Sequence, residues 1–329
     1  MTALRTAAHI GAAIILGIPT AFHNALAQNY PLRPVRLVVP YSSGNSTSDI
    51  IARALAQKLT LSLGVNVVVD NRPGGSAMIG TDAVARAAPD GYTLLLGATG
   101  PNAINVSLFK KIPYDPVQDF SPVGLIAITT SVLVVHPLVP ADAVAQLIRL
   151  AKAKPGRLSY GSAGIGGVSH LAGELFNTMA GVKIAHVPYR GMAPAVIDLI
   201  GGQTDLMFAT LPGTLAQVQA RRLKALAVAT ARRSDVLPEL PTLSEAGLPG
   251  FQASAFFGLF APAKTPAQIV MKLNNELNLA LKLPEIKDLM QSQGSEAGEG
   301  TPGQFAAFVR AEITKWARVI KLSGATSDG

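Results

Sequence analysis

Two glycine- and serine-rich loops, each following an apolar strand-like run and opening a helical pattern, constrain this chain more than any other feature. The first is Pro40-Tyr41-Ser42-Ser43-Gly44-Asn45-Ser46-Thr47-Ser48-Asp49, after the run Val35–Val39. The second, about 120 residues later, is Tyr160-Gly161-Ser162-Ala163-Gly164-Ile165-Gly166-Gly167-Val168-Ser169-His170. Loops of this kind turn unpaired backbone N–H groups and the positive end of a helix toward whatever lies beyond the strand tips. One such loop is an anion site. Two, on separate halves of a chain, predict a ligand held between them.

The rest of the chain alternates in the same way. Apolar runs suited to buried parallel strands are Val35–Val39, Val65–Val69, Tyr92–Leu96, Leu133–Val135, Ile184–Val187, Leu206–Ala209 and Ala225–Ala229. Ile51, Leu55 and Leu59 recur at helical spacing after the first loop, and Leu171, Leu175 and Met179 after the second. This predicts α/β architecture with helices packed on open sheets. Length favours two domains, with crossings at Val123–Val135 and at Phe256–Ala261, the latter closed by Pro262. The expected division is residues 28–127 with 256–329 as one lobe and 128–255 as the other. Final helices are expected at about 266–283 and 302–322, the second with an apolar face of Phe305, Phe308, Val309, Ile313, Trp316 and Ile320.

The first residues predict export. Arg5 is the only full charge before Arg33, Ile10–Ile18 is a short apolar stretch ended by Pro19, and Ala25-Leu26-Ala27 fits a small-x-small cleavage site. Residues 1–27 are therefore expected to be a cleavable leader, since the apolar stretch is too short for a membrane span of about 20 residues. The chain has no cysteine, which excludes disulfides, thiol catalysis, cysteine-ligated metals and a lipid-modified cysteine. The expected product is a periplasmic protein without a lipid anchor. A formal net charge of +8 favours small anions. Scattered basic pairs and few aromatic residues argue against nucleic acid.

Several further motifs carry a resemblance. Tyr30-Pro31-Leu32-Arg33-Pro34-Val35-Arg36-Leu37-Val38-Val39-Pro40-Tyr41, Val69-Asp70-Asn71-Arg72-Pro73-Gly74-Gly75 and Ala88-Pro89-Asp90-Gly91-Tyr92-Thr93-Leu94 occur in that order. Pro155-Gly156-Arg157-Leu158-Ser159-Tyr160-Gly161-Ser162, His186-Val187-Pro188-Tyr189-Arg190-Gly191 and Gly201-Gly202-Gln203-Thr204-Asp205 follow. Across the whole mature chain this series resembles the Bug proteins, the receptors of tripartite tricarboxylate transporters. The resemblance implies a two-lobed periplasmic binding protein fold of type II, with open α/β sheets joined by two crossover strands. It also implies a small carboxylate held largely by backbone amides and ordered waters. The partner it implies is a membrane permease of one large and one small subunit, served by a receptor expected to be a monomer. The first loop departs from the family pattern: it is one residue longer and has Asn45 where a second glycine is usual.

Candidate ligand contacts in the first loop are Tyr41, Ser42, Ser43, Asn45, Ser46, Thr47 and Asp49. Asp49 either caps the helix or accepts a hydrogen bond from the ligand. In the second loop they are Ser162, Ala163, Gly164, Gly166, Gly167 and His170, with Ser169 read as a cap. His170, lacking a visible partner, reads more readily as a packed or loop-pinning residue than as a base. Thr99 and Thr210 follow strand tips in different lobes, where ligands of open sheets bind, and Arg190 is the available guanidinium clamp. Asn71-Arg72-Pro73-Gly74 reads as a turn outside the site.

An enzymatic alternative is a secreted hydrolase with Ser162 as nucleophile, and a second alternative is a binding protein feeding a sensor. Gly161-Ser162-Ala163-Gly164 lacks the spacing of a nucleophile elbow, and His170 has no acid placed to orient it. His136, His170 and His186 have no metal-ligand spacing, and no dinucleotide fingerprint follows a strand. The expectation is a binder with neither metal nor cofactor.

Overall fold

The computed structural model describes residues 30–44 and 46–326, so the expected leader and Asn45 lie outside the described residues. Residues 31–326 build two sheets. In the first, β1 (Val35–Val39) runs parallel to β2 (Val67–Asn71) and to β3 (Thr93–Ala98). β10 (Ala255–Pro262) then pairs antiparallel with β3 and with β4 (Phe120–Thr129), and β11 (Ser295–Ala297) closes the edge, giving the order β11-β4-β10-β3-β1-β2. In the second sheet, β6 (Ser159–Ser162) is parallel to β7 (Ala185–Pro188) and β8 (Leu206–Thr210). β5 (Ser131–Val135) lies between β8 and β9 (Lys224–Val228), antiparallel to both.

Most expected strands occur within two residues of their sequence bounds, with informative exceptions. The apolar stretch 123–135 is two strands, β4 and β5, separated only by Thr130, so the chain passes from one sheet to the other at a single residue. β5 and β9 belong to antiparallel pairs rather than the all-parallel set expected. A strand entering from the neighbouring lobe arrives at the end where the resident parallel strands finish, and must run against them. β6 has only glycine, serine and tyrosine and no apolar run to announce it.

The register fixes where the strand tips go. Ala98, the last residue of β3, pairs with Phe257, while Ala255 pairs with Thr129 at the crossing. Thr210, the last residue of β8, pairs with Ser131 just beyond that crossing. The carboxyl ends of the parallel strands in both sheets therefore meet the level at which the chain changes lobes, where open α/β sheets take their ligands.

Helices cover both sheets. α1 (Thr47–Leu63), α2 (Met78–Ala85), a π-helical turn Gly100–Ile104 and α3 (Asn105–Leu108) belong to the first. α4 (Val144–Ala153), α5 (Val168–Ala180), α6 (Met192–Ile200) and α7 (Leu211–Gln219) belong to the second. The chain then returns through β10 to α8 (Ala267–Lys282), α9 (Pro284–Ser292) and α10 (Pro302–Ser323). Thr301 caps α10 in a capping box with Gln304, and Pro302 occupies its first turn.

The two halves share one apolar cluster, while a second, around Val132, Val134, Leu199 and Met207, lies within the second half alone. The shared cluster runs from Leu95, Ile104, Phe260 and Trp316 to Leu147, Phe176, Phe208 and Phe251. α10 packs against α5 of the opposite lobe, so the lobes are joined along one side. Gly258 marks the closest approach within the first lobe, since a Cβ there would lie 2.1 Å from Phe305 Cζ. Gly258→Ala should lower unfolding stability by about 1–3 kcal/mol through overpacking, measured by urea denaturation. An unchanged midpoint would show that Phe305 is not wedged there.

Candidate functional site

The first loop is held from behind by a buried carboxylate. Asp49, 2 % exposed, accepts from the Gly44 amide at 3.0 Å, from Arg53 Nε at 2.9 Å and from Asn71 Nδ2 at 2.9 Å. The Arg53 hydrogen bond holds its carboxyl below the usual range against the opposing effect of burial, and Gly44 and Asn71 add to it. Asn71 also donates to the Tyr41 carbonyl and accepts from Arg53 Nη2. The side chain of Asp49 is thus filled by the protein. Asn71, set aside as a turn residue on sequence, is the strut that ties β2 to the loop; its place at the tip of a strand parallel to β1 is the signal that could have found it.

Ser46 is the N-cap of α1, its hydroxyl accepting from the Asp49 amide at 3.3 Å. The next two amides, Thr47 and Ser48, have no acceptor among the described residues. They are the orphan donors of the helix head. Ser42, Ser43 and Gly44 are exposed. Tyr41 is half-buried with its hydroxyl beside Gly100, and burial pushes that phenol well above its ordinary pKa.

The second loop spends more of its groups on itself. Ala163 N–H donates to Ser169 Oγ at 3.0 Å, Gly164 N–H to Ser162 Oγ, Gly166 N–H to His170 Nδ1 at 3.0 Å, and Gly167 N–H to the Gly164 carbonyl. The amides of Ile165, Val168 and Ser169 remain without an acceptor among the described residues. Gly164 and Gly166 sit at φ +137° and +74°, which favours glycine. Gly166 also carries the contact between lobes: a Cβ there would lie 2.0 Å from Leu108 Cδ2 at the end of α3.

Behind this loop the rings of Tyr160, His186 and His170 stack, with His170 and His186 centroids 3.9 Å apart. Tyr160 donates to Glu174 at 2.6 Å, and Ser162 Oγ lies 2.7 Å from His186 Nε2. This serine–histidine contact lacks, among the described residues, an acid bonded to His186. Ser162 is fully buried, and Glu174, the one carboxylate paired with this stack among the described residues, accepts from Tyr160 and lies 4.0 Å from His170 Nε2. Burial pushes both imidazoles down to about 4, helped for His186 by its neighbour His170.

The remaining candidates fall into two groups. Thr99 is buried, its hydroxyl accepting from the Phe256 amide at 2.7 Å, so it pins the returning crossover strand. Thr210 is half-buried at the N-cap of α7, and its hydroxyl makes no capping bond. Arg190 is exposed and forms no ion pair among the described residues. Its neighbours Tyr189 and Gly191 donate to the Ser162 and Ala163 carbonyls, which sets Arg190 beside the second loop. The described residues contain no group of side chains suited to a metal ion, and no helix long and apolar enough to cross a membrane.

Two sheets joined by two crossover strands, with helix-opening loops at the facing strand tips, define a two-lobed solute-binding fold. Comparison with known proteins agrees. Residues 51–325 match the tripartite tricarboxylate transporter family receptor model. Protein BugT of Bordetella pertussis is 39% identical over 300 residues, covering 91% of this chain and 92% of BugT. The structure of R. palustris Rpa4515 with adipate is 39% identical with a TM-score of 0.76, covering 91% of this chain and 99% of that one. MatC from Rhodopseudomonas palustris with bound malate is 33% identical with a TM-score of 0.72, covering 88% and 100%. The chain belongs to the tripartite tricarboxylate transporter receptor family.

The stacked histidines make acid a probe of the second loop. Their folded-state values lie below the ordinary 6.5, so the unfolded chain binds more protons between pH 6.5 and about 4. Stability should be complete above pH 6.5 and fall as pH drops through that window, read by urea denaturation at pH 7, 5.5 and 4.5. The double variant His170→Asn with His186→Gln should flatten the slope; an unchanged slope would place the titration elsewhere.

Proposed function

We propose that this protein is a periplasmic receptor that captures a small carboxylate between its lobes and delivers it to the permease of a tripartite transporter, with no catalytic step. The observation that carries this reading is the pair of loops opening helices at the strand tips, each with amides that have no acceptor among the described residues. On one side these are Thr47 and Ser48, on the other Ile165, Val168 and Ser169. The relatives solved with adipate and with malate support a carboxylate as the solute class. Residues 28–127 with 256–329 form one lobe in this reading and 128–255 the other, residues 1–27 act as the export leader, and the receptor works as a monomer beside a large and a small permease subunit.

The internal bonding moves the proposed contacts within each loop. Ala163, Gly164, Gly166 and Gly167 shape the second loop, and the donors offered to a carboxylate are the loop amide of Ile165 and the helix-head amides of Val168 and Ser169. Asp49, Ser162, Thr99 and His170 act by holding backbone in place. Ser42, Ser43, Thr47, Thr210 and Arg190 remain available to the rest of the solute. Charge-assisted hydrogen bonds contribute about 1.5–3 kcal/mol each, so four give roughly 6–12 kcal/mol gross, against about 8 for micromolar affinity. Ordering and closure take part of that sum, and Arg190 is not required.

A thermal-shift panel of mono-, di- and tricarboxylates tests the reading. A dicarboxylate should raise the melting temperature saturably. No shift with any of them, alongside ester turnover lost in Ser162→Ala, would replace the receptor with a hydrolase. Thr47→Pro is the sharper probe. Proline is tolerated at the first helical position, and Ser46 already has the extended backbone that a following proline requires. It deletes one orphan N–H and should weaken binding about 10-fold or more with the fold intact. Unchanged affinity would remove that helix head from the site.

A further inference from the structure

Along the outer seam of the lobes, α10 and α5 leave between them a groove of about 760 Å³. Its floor is apolar, with Leu175 and Met179 of α5 facing Val319 and Leu322 of α10, and both Met179 and Leu322 are exposed. Its rim is cationic. Among the described residues, Arg310 and Arg318 are exposed and form no ion pair, and no carboxylate lines the groove. Lys315 is already spent on Glu312, whose other oxygen accepts from Trp316 Nε1 at 3.0 Å.

The α10 residues on this groove run from position 310 to position 322, a stripe about 18 Å long at 1.5 Å per residue. Arg310 and Arg318 stand two turns apart on it, about 12 Å along the axis. One carboxylate head group cannot meet both unless the two long side chains fold toward each other along the groove. Two carboxylates two turns apart on a facing helix can, with an apolar stripe between them against the floor. We propose that the seam groove docks an acidic amphipathic helix of a protein partner. This goes beyond the carboxylate cleft and does not rest on the solute it takes.

The test uses a blocked 18-residue helical peptide with a leucine stripe and glutamates two turns apart, a control with lysines for the glutamates, and dodecanoate. Trp316, the only tryptophan of the chain, lies under the Lys315 ammonium at 4.7 Å and reports on the groove by fluorescence. Labelled-peptide anisotropy supplies a second readout. The acidic peptide should bind saturably and shift the Trp316 emission. The double variant Arg310→Glu with Arg318→Glu should weaken it at least tenfold with an unchanged circular dichroism spectrum, and the lysine peptide should not bind. Absence of saturable binding by the acidic peptide, equal binding by the lysine peptide, or indifference to the double variant would overturn the proposal. Saturation by dodecanoate with no peptide binding would also overturn it, and make the groove a small-amphiphile site.

Discussion

The carboxylate of Asp49, buried behind the first loop and filled by Gly44, Arg53 and Asn71, is the contact on which the geometry of that side of the cleft depends. A loop that must expose backbone to a ligand cannot also be shaped by that ligand alone. It needs anchors inside the protein, and a buried carboxylate taking three donors supplies them at a site where an unpaired charge would be costly. The opposite loop meets the same demand with neutral groups. Ser162, Ser169 and His170 take the amides of Gly164, Ala163 and Gly166. The polar side chains hold the loops from within, and Thr47, Ser48, Val168 and Ser169 at the helix heads keep amides without an acceptor among the described residues.

That arrangement is useful only if the two loops face one another, and the crossover strands ensure that they do. The single-residue passage at Thr130 and the return through β10 bring the carboxyl ends of both parallel sets to one level. Thr99 fixes the return by accepting from Phe256, and Leu108 sets the approach of the second loop through Gly166. The continuous apolar cluster beneath α10 and α5 joins the lobes on the far side.

Much of this was legible in the sequence. Strand β1 fell on its expected residues, the helices from Ala267 and Pro302 lay within a residue or two of theirs, and the motif order named the family. What the sequence hid was polar bonding between distant segments. Nothing local to Asn71 distinguishes a strut from a turn residue, because its partners Tyr41, Asp49 and Arg53 are 18 to 30 positions away. Ser162 and His186 are 24 positions apart and meet only because β6 and β7 pair. Glycine-rich strings suggested amides free for a ligand, yet in the second loop four of them close onto the loop itself. Such strings mark where backbone is exposed to choice, not which amides remain unspent.

Backbone amide chemical shifts during titration with a saturating dicarboxylate address the central claim most directly. Resonances of Thr47 and Ser48 should move together with those of Ile165, Val168 and Ser169, at one common ligand concentration. Shifts confined to one loop, or centred on Arg190 with both helix heads unmoved, would contradict the account.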